Sequence, residues 1–196
     1  MGTMTATIPD RPLVADEFLA LELPEDARYE LIEGEVVVQA LPLLRHQLAT
    51  EALLAALRAW WRAAPGRGFA VGPIDTWIDA HNVVGPDAQW YAAGRELGSP
   101  DRRPQPLGDI VVEARSPSTW HRDLGIKRRL YEQHGAREYW LLDVEARSAI
   151  VLGRSAPDAE TFDDGAELME GEELSSPLLP GFSVPVAEIF ADPTAR

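Results

Sequence analysis

The sequence predicts a mixed α/β domain in which one sheet is flanked by helices. Three observations predict this class: β-branched residues alternating about an early Glu-Gly pair, a long run of Ala, Leu and Arg, and later segments in which strand and helix patterns follow one another. The resulting order is hairpin, helix, strands, helix, strand, and we find no internal repeat or linker within it. These patterns favour one layered core.

The earliest elements are a short helix and a hairpin. Acidic and apolar residues recur at helical spacing from Leu13 to Leu21, which predicts a short helix that stops before Pro24. From Arg28 to Gln39 the β-branched, alternating residues and the central Glu33-Gly34 predict a β-hairpin with a tight turn. Leu44 to Arg62 contains no glycine or proline, which predicts a helix of about five turns with His46 on its inward side.

The middle of the chain predicts a sheet. Phe69 to Asp79 and Val83 to Tyr91 have strand patterns that a turn near His81-Asn82 would join, and the proline-rich stretch from Gly94 to Pro106 predicts a loop. The most apolar strand candidate is Gly108 to Ser116, which Ser116-Pro117-Ser118-Thr119 would end.

The remaining segments extend the same sheet. The predicted elements are a helix from about Asp123 to His134, a central strand from Glu138 to Val144, its hairpin partner from Ala149 to Leu152, and short closing strands with a terminal helical turn.

Length and composition limit the class of protein. With 196 residues, 45% apolar and 26% charged, the chain has the composition of an ordinary globular domain and is too short for a TIM barrel. We expect one domain over residues 13–190, a flexible N-terminus over 1–12 and a tail over 191–196.

No run approaches the ~18 apolar residues of a membrane helix, and no secretory apolar stretch opens the chain, so we expect a cytoplasmic protein.

Cysteine content and net charge limit the kinds of catalytic site and binding surface that the protein could have. The chain has no cysteine, which excludes disulfides, thiolate nucleophiles and cysteine-bound metals, so carboxylates, carbonyls or histidine would have to hold any metal. A net charge of −14 argues against a uniformly basic surface that coats nucleic acid. Basic residues nevertheless outnumber acids locally between Arg115 and Arg137, and the arginines at 122–129 are candidates for phosphate contacts.

One lysine stands out. Of the 18 basic residues, 17 are arginine and only Lys127 is lysine. A lysine ammonium is compact and can change its pKa when it is desolvated, whereas a guanidinium stays charged. Lys127 falls on the side of its predicted helix that also carries Leu124, Tyr131 and His134, and that side is expected to pack toward the sheet.

Two carboxylates are candidates for a metal site. Asp109, Val111, Glu113 and Arg115 would share one face of their strand, and a buried Glu113 needs a cation, metal or donor as partner. Asp87 follows Pro86 in the neighbouring segment, and adjacent strands lie ~4.8 Å apart. Oxygen ligands of this kind suit Mg²⁺ or Mn²⁺. Two carboxylates, a metal and an ammonium are what phosphodiester hydrolysis requires.

The same residues carry a resemblance. Pro86-Asp87 followed by Glu113-Ala-Arg115 is similar to the P-D…(D/E)-x-K signature of restriction-endonuclease-like nucleases. The wider set of Y-E-L-I-E-G-E, D-I-V-V-E-A-R-S-P-S-T, D-L-G-I-K-R-R-L-Y and G-A-R-E-Y-W-L-L-D resembles the bacterial Uma-two family of restriction-endonuclease-like proteins over about residues 13–190. The resemblance implies a restriction-endonuclease-like core with a mixed central sheet and an N-terminal β-hairpin, a divalent metal, DNA as substrate, and a homodimer or higher homo-oligomer.

The resemblance also implies a set of site residues. Arg115 occupies the position of the signature lysine, and the family pattern supplies a lysine on the following helix instead, here Lys127. The implied catalytic residues are Asp87, Glu113, Lys127, Glu35 and His46, with Asp87 and Glu113 as metal ligands.

Structural roles for these residues stay open. Asp87 would then be a turn residue, Glu113 a partner of Arg115 or Arg137, His46 a core histidine and Glu35 a cross-strand partner. The functional alternatives to a DNA endonuclease are a catalytically inactive nuclease-fold module that binds DNA or protein, and an assembly subunit whose acidic segment 158–173 binds a basic partner.

Overall fold

The computed structural model describes residues 8–115 and 120–193. The first seven residues of the predicted flexible N-terminus, the predicted strand end at 116–119 and the last three residues of the predicted tail lie outside the described residues.

The described residues contain five α-helices and thirteen strands. The helices are α1 (Ala15–Leu19), α2 (Leu44–Arg62), α3 (Trp120–Arg122), α4 (Arg128–Gln133) and α5 (Val186–Ile189), and a π-helical turn covers Asp123–Lys127. The strands are β1 (Arg28–Ile32), β2 (Glu35–Gln39), β3 (Phe69–Val71), β4 (Thr76–Asp79), β5 (Asn82–Val84), β6 (Ala88–Tyr91), β7 (Gln105–Pro106), β8 (Ile110–Ala114), β9 (Glu138–Asp143), β10 (Ser148–Gly153), β11 (Asp164–Leu168), β12 (Glu173–Ser175) and β13 (Ser183–Pro185). Within this part of the chain, no helix has the length and apolar character needed to cross a membrane.

The chain forms two compact units. The first contains residues 8–41, 74–85 and 97–106, and the second contains 42–73, 86–96, 107–115 and 120–193. Both units therefore draw on separated segments of sequence, and the single domain expected over 13–190 stays a prediction.

The first unit contains the predicted hairpin. Its five strands have the order β2-β1-β5-β4-β7, and β1 pairs with β2 in antiparallel register. Glu33 and Gly34 in the turn both have positive φ, 52° and 81°, as the two central residues of a type I′ turn require. A small core of Leu13, Ala15, Phe18, Leu31 and Val83 lies against this sheet.

The second unit contains the larger sheet and core. Its six strands have the order β11-β10-β9-β8-β6-β3, in which β8 and β9 are parallel and the other pairs antiparallel. Helix α2 begins and ends as predicted and buries Ala49, Leu53 and Leu57 in the same core as Val112 and Trp140. Two short strands, β12 and β13, pair with each other.

The prediction of two long strands over Phe69–Asp79 and Val83–Tyr91 was wrong. Each segment divides into two strands, and β3 and β6 join the larger sheet whereas β4 and β5 join the smaller one. The divisions fall at 72–75 and 85–87, which contain Pro73 and Pro86. Proline has no N–H to donate to a neighbouring strand, so the ladder ends there.

The helix predicted from about Asp123 to His134 was wrong in its first half. Within the described residues, helical structure is already present at Trp120, and a π-helical turn precedes α4. Because a π turn closes on residue i+5, the face worked out from α-helical spacing is rotated there. Leu124 is consequently 43% exposed, while Asp123 is buried at 1%.

Candidate active site

The site is built around the central strand β8. β6 and β9 flank β8 in the sheet, and all five β8 residues are buried. Glu113 pairs in register with Leu141 of β9 and faces the side of the sheet on which α4 packs. A buried carboxylate in this position requires hydrogen-bond donors, because an unpaired charge there is costly.

Lys127 and Tyr131 supply those donors. The Nζ of Lys127 donates to Oε1 of Glu113 at 2.9 Å, and the Tyr131 hydroxyl donates to the same oxygen at 2.7 Å. Lys127 is 1% exposed and Tyr131 is fully buried. The chain's only lysine therefore lies in the interior of its unit, in contact with the strand carboxylate that the sequence singled out.

Asp123 is a residue that the sequence reasoning missed. Its Oδ1 lies 3.9 Å from Nζ of Lys127, so the ammonium lies within 4 Å of two carboxylates. The Tyr139 hydroxyl donates to the backbone carbonyl of Asp123 at 3.2 Å. The signal that could have identified Asp123 is its spacing of four residues from Lys127, which joins side chains on one helix face.

Asp87 and His46 form a second contact. Nε2 of His46, on the first turn of α2, lies 3.1 Å from Oδ2 of Asp87, and both side chains are buried. Among the described residues, Nδ1 of His46 is buried and has no hydrogen-bond partner. Burying a polar atom without a hydrogen-bond partner costs free energy, so this nitrogen is a candidate position for a bound water or ligand.

A backbone hydrogen bond relates Asp87 to the strand that carries Glu113. The N–H of Ala114 donates to Oδ2 of Asp87 at 2.9 Å. The last register pair of β6 and β8 at this end is Ala88 with Val112, so Asp87 and Glu113 are the next residues outward on each chain segment. The two predicted metal ligands are thus placed at the same end of the same strand pair.

Glu35, the remaining predicted residue, lies in the other unit and is exposed on β2. The buried carboxylate of the hairpin is Glu30, which sequence reasoning did not select. Its Oε1 accepts the N–H of Gly85 at 2.9 Å, and its other oxygen accepts from the Gln39 amide. Glu30 lies in the middle of β1, and a mid-strand carboxylate is the signal that could have identified it.

Arg115, at the position of the signature lysine, has structural partners. Its guanidinium donates to Oδ2 of Asp143 at 2.7 Å, lies 3.5 Å from Glu145 and covers the Trp120 ring. Burial raises the pKa of Asp143, but hydrogen bonds from Ala146, Arg115 and Glu145 outweigh it and hold that pKa below its usual value.

The arginines that follow the site differ in their surroundings. Arg128 donates to Oε1 of Glu132 at 3.1 Å and to the carbonyl of Phe162 at 2.9 Å, so it joins α4 to the loop before β11. Arg129 is exposed on the same helix. Of these two side chains, Arg129 is the one accessible to a phosphate.

The donor set fits a divalent metal of the Mg²⁺ type. Two carboxylates at one end of a strand pair are oxygen ligands, which Mg²⁺ and Mn²⁺ prefer. The described residues contain no group of three or more Asp, Glu, His or Cys side chains that could hold a metal ion. An ion held by Asp87 and Glu113 would therefore keep several waters, as Mg²⁺ commonly does.

The comparisons with known proteins decide the family. The model of the Uma2 family, described as "Putative restriction endonuclease", matches residues 15–187, which is most of the chain. The chain belongs to the Uma2 family. The resemblance on which the sequence prediction rested is thereby confirmed.

A solved structure supports the fold of this Uma2 chain. The crystal structure of a "putative nuclease belonging to DUF820" from Anabaena variabilis has a TM-score of 0.72 at 16% sequence identity and covers 91% of the Uma2 chain and 98% of its own. The predicted fold class, a mixed α/β restriction-endonuclease-like core, is confirmed. No curated protein matches the Uma2 chain.

Proposed function

We propose that this chain is a metal-dependent endonuclease that hydrolyses DNA phosphodiester bonds. Its family is described as "Putative restriction endonuclease", and a chain of the same fold is described as a "putative nuclease". The observation that carries the proposal is the hydrogen bond, 2.9 Å long, from Nζ of Lys127 to Oε1 of Glu113. The next residue after Glu113, Ala114, donates its N–H to Asp87.

Asp87 and Glu113 would hold Mg²⁺ or Mn²⁺. When bound, such an ion activates water and neutralises phosphate charge. Glu113 accepts hydrogen bonds from Lys127 and Tyr131, which fixes its carboxylate, and Ala114 and His46 fix Asp87 in the same way. The Lys127 ammonium would stabilise negative charge that develops on the phosphate, because a donor in a water-poor site is worth more than one in water. Glu35 has no role that these contacts support, and its place in the site stays a prediction.

Plasmid cleavage tests the proposal. Wild-type protein with Mg²⁺ or Mn²⁺ should convert supercoiled DNA to nicked or linear forms, and Lys127→Met and Glu113→Gln should lose this activity. Arg58→Ala, which removes a partly exposed arginine of α2, serves as control and should cleave like wild type. Absence of cleavage by folded wild-type protein with either ion would refute the proposal.

A second candidate function is a catalytically inactive module that binds DNA or protein. Two observations favour it: Lys127 is only 1% exposed, and the net charge is −14. DNA or protein binding that persists in EDTA and in Glu113→Gln, without cleavage, would decide for this candidate.

Assembly and location belong to the same proposal. A homodimer or higher oligomer and a cytoplasmic site of action stay predictions from the family resemblance and the sequence. Light scattering at micromolar concentration would test the first, and a mass equal to 21.6 kDa would exclude it.

A further inference from the structure

The contacts of Lys127 extend beyond the predicted catalytic residues. Its ammonium lies 2.9 Å from Glu113 and 3.9 Å from Asp123, and the three residues are at most 5% exposed. Lysine has a flexible four-carbon stem, so one ion pair leaves the direction of its ammonium poorly fixed. A second carboxylate at i−4 on the same helical turn, 3.9 Å away and thus beyond hydrogen-bond distance, attracts the ammonium electrostatically and limits its direction.

Two tyrosines donate hydrogen bonds to the carboxylate-bearing residues of this cluster, one to a carboxylate and the other to a backbone carbonyl. Tyr131 donates to Glu113, and Tyr139 donates to the backbone carbonyl of Asp123. The two rings pack edge to face with centroids 5.1 Å apart. Each carboxylate-bearing residue is therefore tied to a ring whose position the other ring restricts.

The local helix geometry supports a functional reason for this cluster. Asp123 and Lys127 are the first and last residues of the π-helical turn. π turns are rare, and they occur often at functional sites. In a regular helix the neighbouring Leu124 would have faced the sheet, whereas the π turn leaves it exposed and buries Asp123.

We propose that Asp123 and Tyr131 are positioning residues of the reaction, which fix the Lys127 ammonium and the Glu113 carboxylate relative to each other. This inference rests on the proposed nuclease function. It goes beyond that function because neither residue belongs to the predicted catalytic set. Loss of either contact should lower kcat about tenfold to a hundredfold, as small misplacements in active sites do, and leave KM for DNA unchanged.

The single lysine allows a direct test. Protein made with ¹³C,¹⁵N-lysine carries one labelled side chain, so one Nζ signal reports on Lys127. In the wild type the buried, hydrogen-bonded ammonium should exchange its protons slowly with water. In Asp123→Asn and in Tyr131→Phe the signal should shift and the exchange should quicken several-fold.

Matched controls separate this effect from a general loss of packing. Asp143→Asn removes a buried carboxylate that pairs with Arg115, and Tyr91→Phe removes the hydroxyl of another buried tyrosine, at the end of β6. Both controls should leave the lysine signal and kcat like those of wild type.

The outcomes are distinct. An unchanged lysine signal in both Asp123→Asn and Tyr131→Phe would overturn the inference, and so would a changed signal with unchanged kcat. If the lysine signal changes in the two variants but the wild type never cleaves DNA, the proposed function is refuted while the positioning of Lys127 stands. Slower cleavage with unchanged KM and a changed signal would support both.

Discussion

The Nζ of Lys127 lies 2.9 Å from Oε1 of Glu113, and both side chains are buried in the second unit. A buried ion pair is not in itself a strong stabiliser, because both ions lose their hydration on folding. Its retention in an interior that could have been apolar is better explained by a role in the site.

Removing one member of this pair should destabilise the protein strongly. Lys127→Met leaves the buried Glu113 carboxylate without its counter-charge, and Glu113→Gln does the same to the Lys127 ammonium. An uncompensated buried charge lowers the free energy of unfolding by about 3–5 kcal/mol. The double variant should recover a large part of that loss. Urea unfolding of the four proteins measures the coupling, and additive losses in the double variant would contradict a direct interaction.

Metal binding should depend on the two strand-end carboxylates. We expect Mn²⁺ to bind the wild type in calorimetry, and Asp87→Asn and Glu113→Gln to weaken that binding about tenfold or more, because each removes one anionic ligand. Glu35→Gln, in the other unit, should bind Mn²⁺ like the wild type. A loss of affinity in Glu35→Gln equal to that in Asp87→Asn would instead support the predicted role of Glu35.

Contact with DNA should involve Arg129. Because this side chain is exposed on α4, Arg129→Ala should weaken binding to all sequences similarly and reduce the slope of log affinity against log salt by about 0.9. Arg58→Ala provides the control. Fluorescence anisotropy at several salt concentrations measures the slope, and equal slopes for the two variants would exclude this contact.

Stability should fall with rising pH through the titration of Glu138. Burial raises the pKa of this carboxyl, although Ser176 and Trp140 donate hydrogen bonds to it. A raised folded-state pKa means that its contribution to stability is present below the unfolded value of about 4.3 and is lost as the pH rises through the folded pKa. Glu138→Gln should flatten this part of the pH–stability curve. An unchanged curve would show that Glu138 does not titrate differently on folding.

In the first unit, Glu17 should titrate at unusually low pH. The Arg11 guanidinium hydrogen-bonds it, and the Val14 N–H donates to it, which lowers the pKa of Glu17 to about 2. The stability that it contributes is present above the ordinary carboxyl pKa and is lost as the pH falls toward 2. In Arg11→Ala the pKa should rise toward its usual value. Carboxyl ¹³C shifts across a pH titration measure this change.

The sequence predicted well those features that depend on local periodicity. The hairpin over Arg28–Gln39 and helix α2 over Leu44–Arg62 were confirmed, because alternation, a Glu-Gly turn and an unbroken helical run are local signals. The assignment of β3 and β4 to different sheets was not predictable, since strand pairing depends on contacts remote in sequence.

The residues of the candidate site also divide into those with a clear local signal and those without one. Glu113 and Lys127 could be singled out because one is a carboxylate in an apolar strand and the other the only lysine. Asp123 escaped because the sequence places it near the N-terminus of a predicted helix, whereas helical structure is already present at Trp120 and the π turn buries Asp123. Glu30 escaped because three glutamates lie close together in the hairpin, and only its position in the middle of a strand distinguishes it locally from the other two.

The interior position of Lys127 has a practical consequence. Since no other residue carries an ε-amine, acylating reagents and amine-directed cross-linkers have no lysine to modify on the folded surface. Lysine acylation, followed by mass spectrometry, should therefore report the opening of this part of the protein, with a rate set by how often the Glu113 contact breaks.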